Sequence, residues 1–252
     1  SDPNTWNGGT LPGSGDDVYA NGKTVTIDQN VTCLSLRTEA ESGNGVVAGG
    51  WFQCGIAATV DVSGGAGIRG GGYVAIQFTG ADGYQLTVLG NVKGGGGGVA
   101  HGIFHTGAGN VVVVGDVAGG SGNSARGIYV TTTGSASITG NVTGGAGSGA
   151  HGVYNESGTV TISGNVTGGA GSGAHGVYNE SGTVTISGNV TGGAGSGAHG
   201  VYIGSGTVTI TGNVFNDAGY GLWNDRGTVT IYGSAKPNPS NPLGNHVLFH
   251  NS

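Results

Sequence analysis

GNVTGGAGSGAHGVY is the stretch that decides the fold. It runs from Gly140 to Tyr154, again from Gly164 to Tyr178 and again from Gly188 to Tyr202, so the sequence repeats with a 24-residue period. Self-similarity at a fixed period of roughly 20 to 50 residues is typical of solenoids, propellers and repeat arrays. The repeat therefore governs the interpretation of every other feature of the chain.

Each copy continues into a segment that reads TVTI, as at 159–162. Its alternation of polar and apolar residues predicts a strand, with Val160 and Ile162 on one face. Ser-Gly-Asn at 163–165 predicts a turn, and Gly-Val-Tyr at 152–154 predicts a further short strand. At about 3.3 Å per residue, one unit travels on the order of 80 Å, which suits one circuit of a small three-sided coil. A parallel β-solenoid is therefore predicted.

Weaker copies extend the repeat in both directions. Aligned on the TVTI segment, the copies are spaced by 35, 26, 25, 25, 24, 24, 24 and 21 positions. They start at Thr24, Thr59, Gln85, Asn110, Ser135, Thr159, Thr183, Thr207 and Thr228. This predicts one domain of eight or nine coils at 24–234, with caps at 1–23 and 235–252. The first spacing predicts an insertion or an irregular early coil.

The composition excludes several classes of protein. Of 252 residues, 61 are Gly, 8% are charged and the formal net charge is -6. Gly costs a helix about 1 kcal/mol relative to Ala, which argues against helical bundles, coiled coils and doubly wound α/β enzymes. The glycines lack the period of three that collagen requires. Only seven Lys and Arg residues are present, so we expect neither a nucleic-acid nor a membrane partner.

HGVYNESGTVTISGNVTGG (151–169) resembles the repeat of right-handed parallel β-helix proteins, which occurs in pectin-degrading enzymes, phage tailspikes and fibres, virion decorations and surface adhesins. The resemblance covers about 24–234. It implies that Val153, Val160, Ile162 and Val166 face inward and that Asn165 lies at a turn.

The two ends of the chain predict caps. Trp6 begins a W-x-G-G-x-x-P-x-x-x-D-x-V pattern that resembles the opening of β-helical surface and virion proteins, in which the Trp covers the first coil. Three prolines between 237 and 242 cannot continue a ladder of hydrogen bonds, because Pro lacks an N–H. Val247, Leu248 and Phe249 could plug the last coil.

Stacked coils turn each repeat position into a column of side chains about 4.8 Å apart. One polar column is predicted to be structural, with its side chains bonding one another and the turn backbone. Its members are Asn91, Asp116, Asn141, Asn165, Asn189 and Asn213. A second, aromatic column is predicted to lie outside, either as mutually stacked rings or as a surface for a partner subunit or a glycan. Its members are Phe104, Tyr129, Tyr154, Tyr178, Tyr202 and Trp223.

Two further columns carry side chains that are typical of metal-binding and ice-binding surfaces. The residues before the aromatic column are His101, Arg126, His151, His175, His199 and Tyr220. Three stacked His residues bind a metal only if their rings converge, so stacked neutral imidazoles are expected and no metal site is predicted. A Thr-x-Thr array resembles the ice-facing surface of some solenoid antifreeze proteins, although Asn110 with Val112 and Ser135 with Ser137 interrupt it. It comprises Thr159, Thr161, Thr183, Thr185, Thr207, Thr209, Thr228 and Thr230.

The carboxylates and thiols predict no active site. Glu156 and Glu180 form a regular pair in consecutive coils, but the third copy has Gly204 there and no cation is predicted to face the pair. Glycoside hydrolysis needs two carboxylates in distinct environments, so we expect no catalytic residues and no cofactor. Cys33 and Cys54 are 21 positions apart, close to one coil, which fits two buried thiols, our preference, or a disulfide.

These features favour a rigid spacer or binding surface over an enzyme. The preferred hypothesis is a phage virion structural protein, a head or tail fibre or decoration, that contacts other virion proteins, forms a homotrimer through its aromatic column and adsorbs to host-surface polysaccharide. The alternatives are a secreted or cell-surface adhesin of the same fold, an ice-binding protein and a polysaccharide-degrading enzyme. The corresponding localisation is the virion or, alternatively, the extracellular space or cell surface.

Overall fold

The computed structural model describes residues 12–19, 24–27, 29–33, 35–37, 51–65 and 67–236. Within these residues all regular elements are β-strands, and all strand pairs are parallel. The strands form three sheets, and each coil of the chain contributes one strand to each sheet in turn. This confirms the predicted all-β parallel solenoid and its 24-residue period, which separates Asn141 from Asn165 in adjacent coils. No helix of the described residues is long and apolar enough to cross a membrane.

In the part of the chain that the structure describes, sheets B and C contain nine strands each and sheet A contains ten, most of them only two residues long. They are β1 (Asp17–Tyr19), β4 (Ser35–Arg37), β7 (Gly67–Arg69), β10 (Val92–Lys93), β13 (Val117–Ala118), β16 (Val142–Thr143), β19 (Val166–Thr167), β22 (Val190–Thr191), β25 (Val214–Phe215) and β28 (Ala235–Lys236). Sheet B contains nine strands and holds the Gly-Val-Tyr segments. They are β2 (Thr24–Ile27), β5 (Trp51–Cys54), β8 (Ile76–Phe78), β11 (Ile103–His105), β14 (Ile128–Val130), β17 (Val153–Asn155), β20 (Val177–Asn179), β23 (Val201–Ile203) and β26 (Leu222–Asn224).

Sheet C contains nine strands and holds the TVTI segments from Thr159 onward. They are β3 (Val31–Thr32), β6 (Ala58–Asp61), β9 (Gln85–Leu89), β12 (Asn110–Val114), β15 (Ser135–Ile138), β18 (Thr159–Ile162), β21 (Thr183–Ile186), β24 (Thr207–Ile210) and β27 (Thr228–Ile231). Identical residues pair across neighbouring coils in the tandem copies, as Val160 does with Val184 and Ile162 with Ile186. The period of two within a strand therefore directs these side chains inward, and the period of 24 places the same residue next to them in the adjacent coil.

The core is a set of aliphatic columns inside the coil. Val153, Val160, Ile162 and Val166 are fully buried, which confirms their predicted inward orientation. Each such side chain contributes roughly 1.5–3 kcal/mol relative to its exposed state. Because the next coil presents the same residue at the same place, the core is continuous along the solenoid axis.

The first coils differ from the predicted alignment in two places. The TVTI segment at Thr24 belongs to sheet B, where it pairs with Trp51–Cys54, and not to sheet C. Thr59 pairs with Thr87, two residues away from the predicted partner Gln85. A TVTI pattern specifies a half-buried strand but not the sheet that it joins, and this ambiguity produced the spacing of 35.

An early irregular coil is nevertheless present. Val31 pairs with Val60, 29 positions later, and Thr59 pairs with Thr87, 28 positions later, whereas the coils from Gln85 to Thr207 repeat every 24 or 25 positions. The extra length of the first of these coils lies between β4 and β5, in residues 38–50, which are outside the described residues. The solenoid also reaches into both predicted caps, since β1 pairs with β4 and β28 pairs with β25. Trp6 and residues 237–252 lie outside the described residues.

The Gly-rich arc between sheets A and B packs backbone directly on backbone. A Cβ atom at Gly169 would overlap the carbonyl oxygen of Gly145, and one at Gly145 would overlap that of Gly120. The N–H of Gly169 donates to the carbonyl of Ala150. Consecutive arcs therefore approach too closely for any side chain at these positions, and Gly is required there.

Candidate functional site

The aromatic column is a line of contacting rings on the outer face of sheet B, stacked except between Tyr154 and Tyr178, whose planes are inclined by 60°. Neighbouring centroids are 5.2 Å apart for Phe104 and Tyr129, 4.9 Å for Tyr129 and Tyr154, and 4.8 Å for Tyr178 and Tyr202. Trp223 extends the stack at 6.5 Å and is 39% exposed. Parallel β-pairing sets this spacing, since Tyr154 pairs with Tyr178 and Tyr178 with Tyr202. At the stacked steps the rings cover one another's faces, so the column presents mainly ring edges there.

Carboxylates from the next coil hold the polar edge of the aromatic column. The hydroxyl of Tyr129 donates to Glu156 at 2.5 Å, and the hydroxyl of Tyr154 donates to Glu180 at 2.6 Å. In the next unit Gly204 stands where the acceptor of Tyr178 would be.

At the end of the aromatic column one carboxylate serves two rings. The hydroxyl of Tyr202 donates to one oxygen of Asp225 at 2.9 Å, and Nε1 of Trp223 donates to the other at 2.7 Å. The sequence identified Glu156 and Glu180 only as a regular pair in consecutive coils. Their Tyr partners were missed because each pair joins residues 26 or 27 positions apart.

These contacts keep the phenols protonated. Burial, followed by the hydrogen bond to Glu156, raises the pKa of Tyr129 to about 12. The hydrogen bond to Asp225, followed by burial, raises the pKa of Tyr202 to about 12. Burial and Glu180 raise the pKa of Tyr154 as well. The phenols therefore remain hydrogen-bond donors, and the carboxylates are held in fixed positions with lone pairs to spare.

Arg126 corrects the expectation that no cation faces the acidic pair. Its guanidinium carbon lies 4.4 Å from the ring centroid of Tyr129 and 4.3 Å from that of Tyr154. It is close enough to Glu156 and Glu180 to interact with both carboxylates. Arg126 occupies the repeat position that holds His in the following coils. It is distant from Glu156 and Glu180 in the sequence, and the stacking of the coils brings it close to them.

The imidazole column, formed by His101, His151, His175 and His199, lies beside the aromatic column. His151 and His175 stack with centroids 5.0 Å apart, and His175 and His199 stack at 4.9 Å, each pair inclined by only 7°. Burial lowers the pKa of His151 to about 2 and of His175 to about 4. The geometry is that of stacked neutral imidazoles.

Two amide columns occupy the corners of the coil. In the outer Asn column, which runs from Asn91 to Asn213, each side-chain oxygen accepts the backbone N–H of the next member. The distances are 2.8 Å from Asp116 to Asn91, 2.7 Å from Asn141 to Asp116, 2.9 Å from Asn165 to Asn141, 2.8 Å from Asn189 to Asn165 and 2.8 Å from Asn213 to Asn189. Asp116 fits the column although it has no side-chain amide, because its carboxylate oxygen accepts the N–H of Asn141 as an Asn oxygen would.

The inner amide column was not anticipated from the sequence. Asn155 is fully buried and exchanges two hydrogen bonds with Gly158, and its amide also donates to the oxygen of Asn179 at 2.9 Å. Asn224 makes the same pair of bonds with Gly227. The pattern N-x-x-G was the available signal, since such an Asn closes a turn on its own backbone.

The comparisons with known proteins give a family. The model of the NosD family, described as periplasmic copper-binding protein, matches residues 61–234, which are 174 of the 252 residues. The chain belongs to the NosD family. No curated protein and no solved structure matches it.

In this NosD-family chain the Thr-x-Thr array lies on the outer face of sheet C. Thr159, Thr183, Thr207 and Thr228 stand in register in one line, and Thr161, Thr185, Thr209 and Thr230 stand in register in another. Preceding coils carry Ser137 and Val112 at the second line. Four consecutive coils therefore share the array.

The two Cys residues of this NosD-family chain are buried free thiols, as preferred from the sequence. They lie on different walls of the coil. Cys54 pairs with Phe78 in sheet B, whereas the N–H of Cys33 donates to Asp61 beside sheet C. No group of three or more His, Cys, Asp or Glu side chains suited to a metal ion occurs in the described part of the chain.

Proposed function

We propose that this NosD-family chain is a non-enzymatic binding protein of the periplasm or cell surface, which adheres to a glycan along its aromatic column. The observation that carries the proposal is the alternation of ring edges with fixed carboxylates at Glu156, Glu180 and Asp225. The family's description as periplasmic supports this envelope location and gives no support to the virion role.

The chemistry of the column suits sugar hydroxyls. A carboxylate offers about four acceptor sites, and the one or two ring donors bound to each carboxylate leave at least two of them available. Because the Tyr hydroxyls already hold the carboxylates in place, little conformational entropy is lost when a ligand binds. Acceptors on three of four successive coils along a rigid line suit an extended polymer that carries hydroxyl groups on successive units.

The charge of the chain narrows the class of glycan. The formal net charge is -6, and the column carries three carboxylates against the one cation Arg126. Like charges across an interface cost several kcal/mol, so an acidic polysaccharide is disfavoured. We therefore propose a neutral or amino-sugar glycan as the ligand.

Paired substitutions test the proposal. Tyr154→Phe removes the donor that holds Glu180, whereas Tyr178→Phe removes a hydroxyl whose equivalent acceptor position holds Gly204. The bond between Tyr154 and Glu180 is present with and without ligand, so its loss acts on binding through the cost of ordering the freed carboxylate, about 0.5–1.5 kcal/mol. Tyr154→Phe should therefore weaken binding about two- to tenfold, and Tyr178→Phe should leave it unchanged.

Affinity electrophoresis and titration calorimetry with a soluble β-glucan, chitosan oligosaccharides and alginate provide the measurement. We expect the unmodified chain to bind at least one of the first two polymers and not alginate. If the unmodified chain binds neither polymer, or if the two Phe variants lose affinity equally, the proposal is wrong. Release of reducing ends from a bound polymer would contradict its non-enzymatic part.

A further inference from the structure

The nitrogen lone pairs of the imidazole column are already used by the backbone. Nδ1 of His101 accepts the N–H of Arg126 at 3.2 Å, and Nδ1 of His151 accepts the N–H of His175 at 3.0 Å. Nδ1 of His175 accepts the N–H of His199 at 2.9 Å, and Nδ1 of His199 accepts the N–H of Tyr220 at 3.1 Å. Each ring therefore satisfies a backbone donor of the next coil.

This arrangement fixes the tautomer of each ring. A neutral imidazole has one N–H and one lone pair, and a lone pair on Nδ1 places the proton on Nε2. A metal bound at Nε2 requires the opposite tautomer, in which Nδ1 carries the proton and donates to an acceptor. Here that proton would point at a backbone N–H. Metal binding would therefore break one inter-coil hydrogen bond for every ligand recruited.

The spacing of the rings also opposes a shared metal ion. The rings of His151, His175 and His199 are nearly parallel and 4.9–5.0 Å apart, so equivalent nitrogens do not converge. Two imidazole nitrogens about 2.0–2.1 Å from one ion are at most about 4 Å apart. Between His101 and His151 the column holds the cation Arg126, which repels a metal ion from the remaining gap.

We infer that the imidazole column does not bind copper in the folded chain, although the description of the NosD family names copper. The column instead joins consecutive coils by accepting backbone N–H groups. Copper competes for the same lone pairs only when the coils separate, so it binds the unfolded chain in preference to the folded one through these four residues. The two buried thiols, on different walls of the coil, supply no alternative pair of ligands to the column.

The sign of a thermal shift tests this inference. A ligand that binds the folded state raises the melting temperature, and one that binds the unfolded state lowers it. We expect Cu(II), added at one to ten equivalents near pH 7, to leave the melting temperature unchanged or to lower it. The comparison uses the full chain and the variant His246→Asn/His250→Asn, which removes the two His residues outside the described part of the chain.

A second variant separates the outcomes. His151→Asn/His175→Asn keeps a side-chain oxygen to accept the backbone N–H but removes two imidazoles. A copper-induced rise that persists in the His246/His250 variant and disappears in the His151/His175 variant would overturn the inference. If Cu(II) still raises the melting temperature of the His151→Asn/His175→Asn variant, the copper site lies elsewhere in the chain, and this result supports the inference.

Nitrogen-15 NMR of the imidazoles gives an independent result. We expect Nδ1 of all four rings to show the shift of an unprotonated nitrogen and Nε2 that of a protonated one at pH 7. Cu(II) should leave those signals unbroadened at one equivalent. A protonated Nδ1 in any of the four rings would contradict the assignment for that ring.

Discussion

At the scale of single residues, Gly is a packing requirement of the arc between sheets A and B. The arcs of consecutive coils touch through backbone atoms, so a Cβ would overlap a carbonyl of the coil before. The abundance of Gly, which first suggests low complexity, thus marks the positions of closest approach. Two adjacent glycines differ in this respect: a Cβ at Gly97 would overlap the carbonyl of Gly72, whereas a Cβ at Gly98 meets nothing within 4 Å.

Substitution of these neighbours tests the role of Gly. Gly97→Ala forces two coils apart, and overpacking of this kind costs about 1–3 kcal/mol. In a chain of this size that cost lowers the melting temperature by roughly 2–4 °C per kcal/mol. Gly98→Ala should leave the melting temperature unchanged or raise it slightly, because Ala restricts the unfolded chain. Differential scanning calorimetry measures both, and equal effects of the two substitutions would refute the packing explanation.

At the scale of the element, the imidazole column makes the stability of the coils depend on pH. Burial lowers the pKa of His101 to about 3, His151 to about 2 and His175 to about 4, and it lowers the pKa of His199 as well. In the unfolded chain each His titrates near a pKa of about 6.5. Below that pH the unfolded chain therefore binds more protons than the folded chain, and the stabilisation by the neutral column is lost progressively as the pH falls from about 6.5 towards the folded values.

The slope of stability against pH measures this effect. Each buried His contributes up to about 1.4 kcal/mol per pH unit between pH 6 and pH 5, where most carboxylates remain ionised. Urea unfolding at pH 7.5, 6 and 5 should show a marked loss of stability in the unmodified chain. His151→Asn/His175→Asn should flatten the profile, since Asn accepts the backbone N–H without titrating. Parallel profiles in the two proteins would contradict the assignment of the acid sensitivity to the column.

The elements also show what the sequence could and could not predict. The inward orientation of Val160 and Ile162 follows from local alternation, and the outer Asn column follows from the 24-residue period, because both signals lie within one unit. The sheet joined by Thr24–Ile27 could not be predicted, since the same four residues suit any half-buried strand. The pairing of Tyr154 with Glu180 could not be predicted either, because it depends on how a turn aims two side chains from different coils.

At the scale of the whole molecule, the chain is a stack of interchangeable coils. Residues 140–163 and 164–187 have identical sequences, and the unit at 188–211 differs from them in only three residues. In solenoids of this kind each unit contacts mainly its neighbours, and the total stability is close to a sum of unit and interface contributions. The aromatic column extends along the same stack, so its length is set by the number of units.

Deletion of one complete unit tests this account most directly. Removal of residues 164–187 joins Ser163 to Gly188, as Ser187 is joined in the intact chain, and takes away Tyr178 and Glu180. The account predicts an unchanged β-sheet circular dichroism spectrum per residue and a single unfolding transition. It also predicts glycan affinity about tenfold lower, since the ligand loses the acceptor Glu180 and a hydrogen bond to a charged group contributes about 1.5–3 kcal/mol. Removal of only residues 164–175 should unfold the coils that follow. Two results would contradict the account: loss of β-structure in the variant that lacks residues 164–187, or unchanged glycan affinity when that variant is folded.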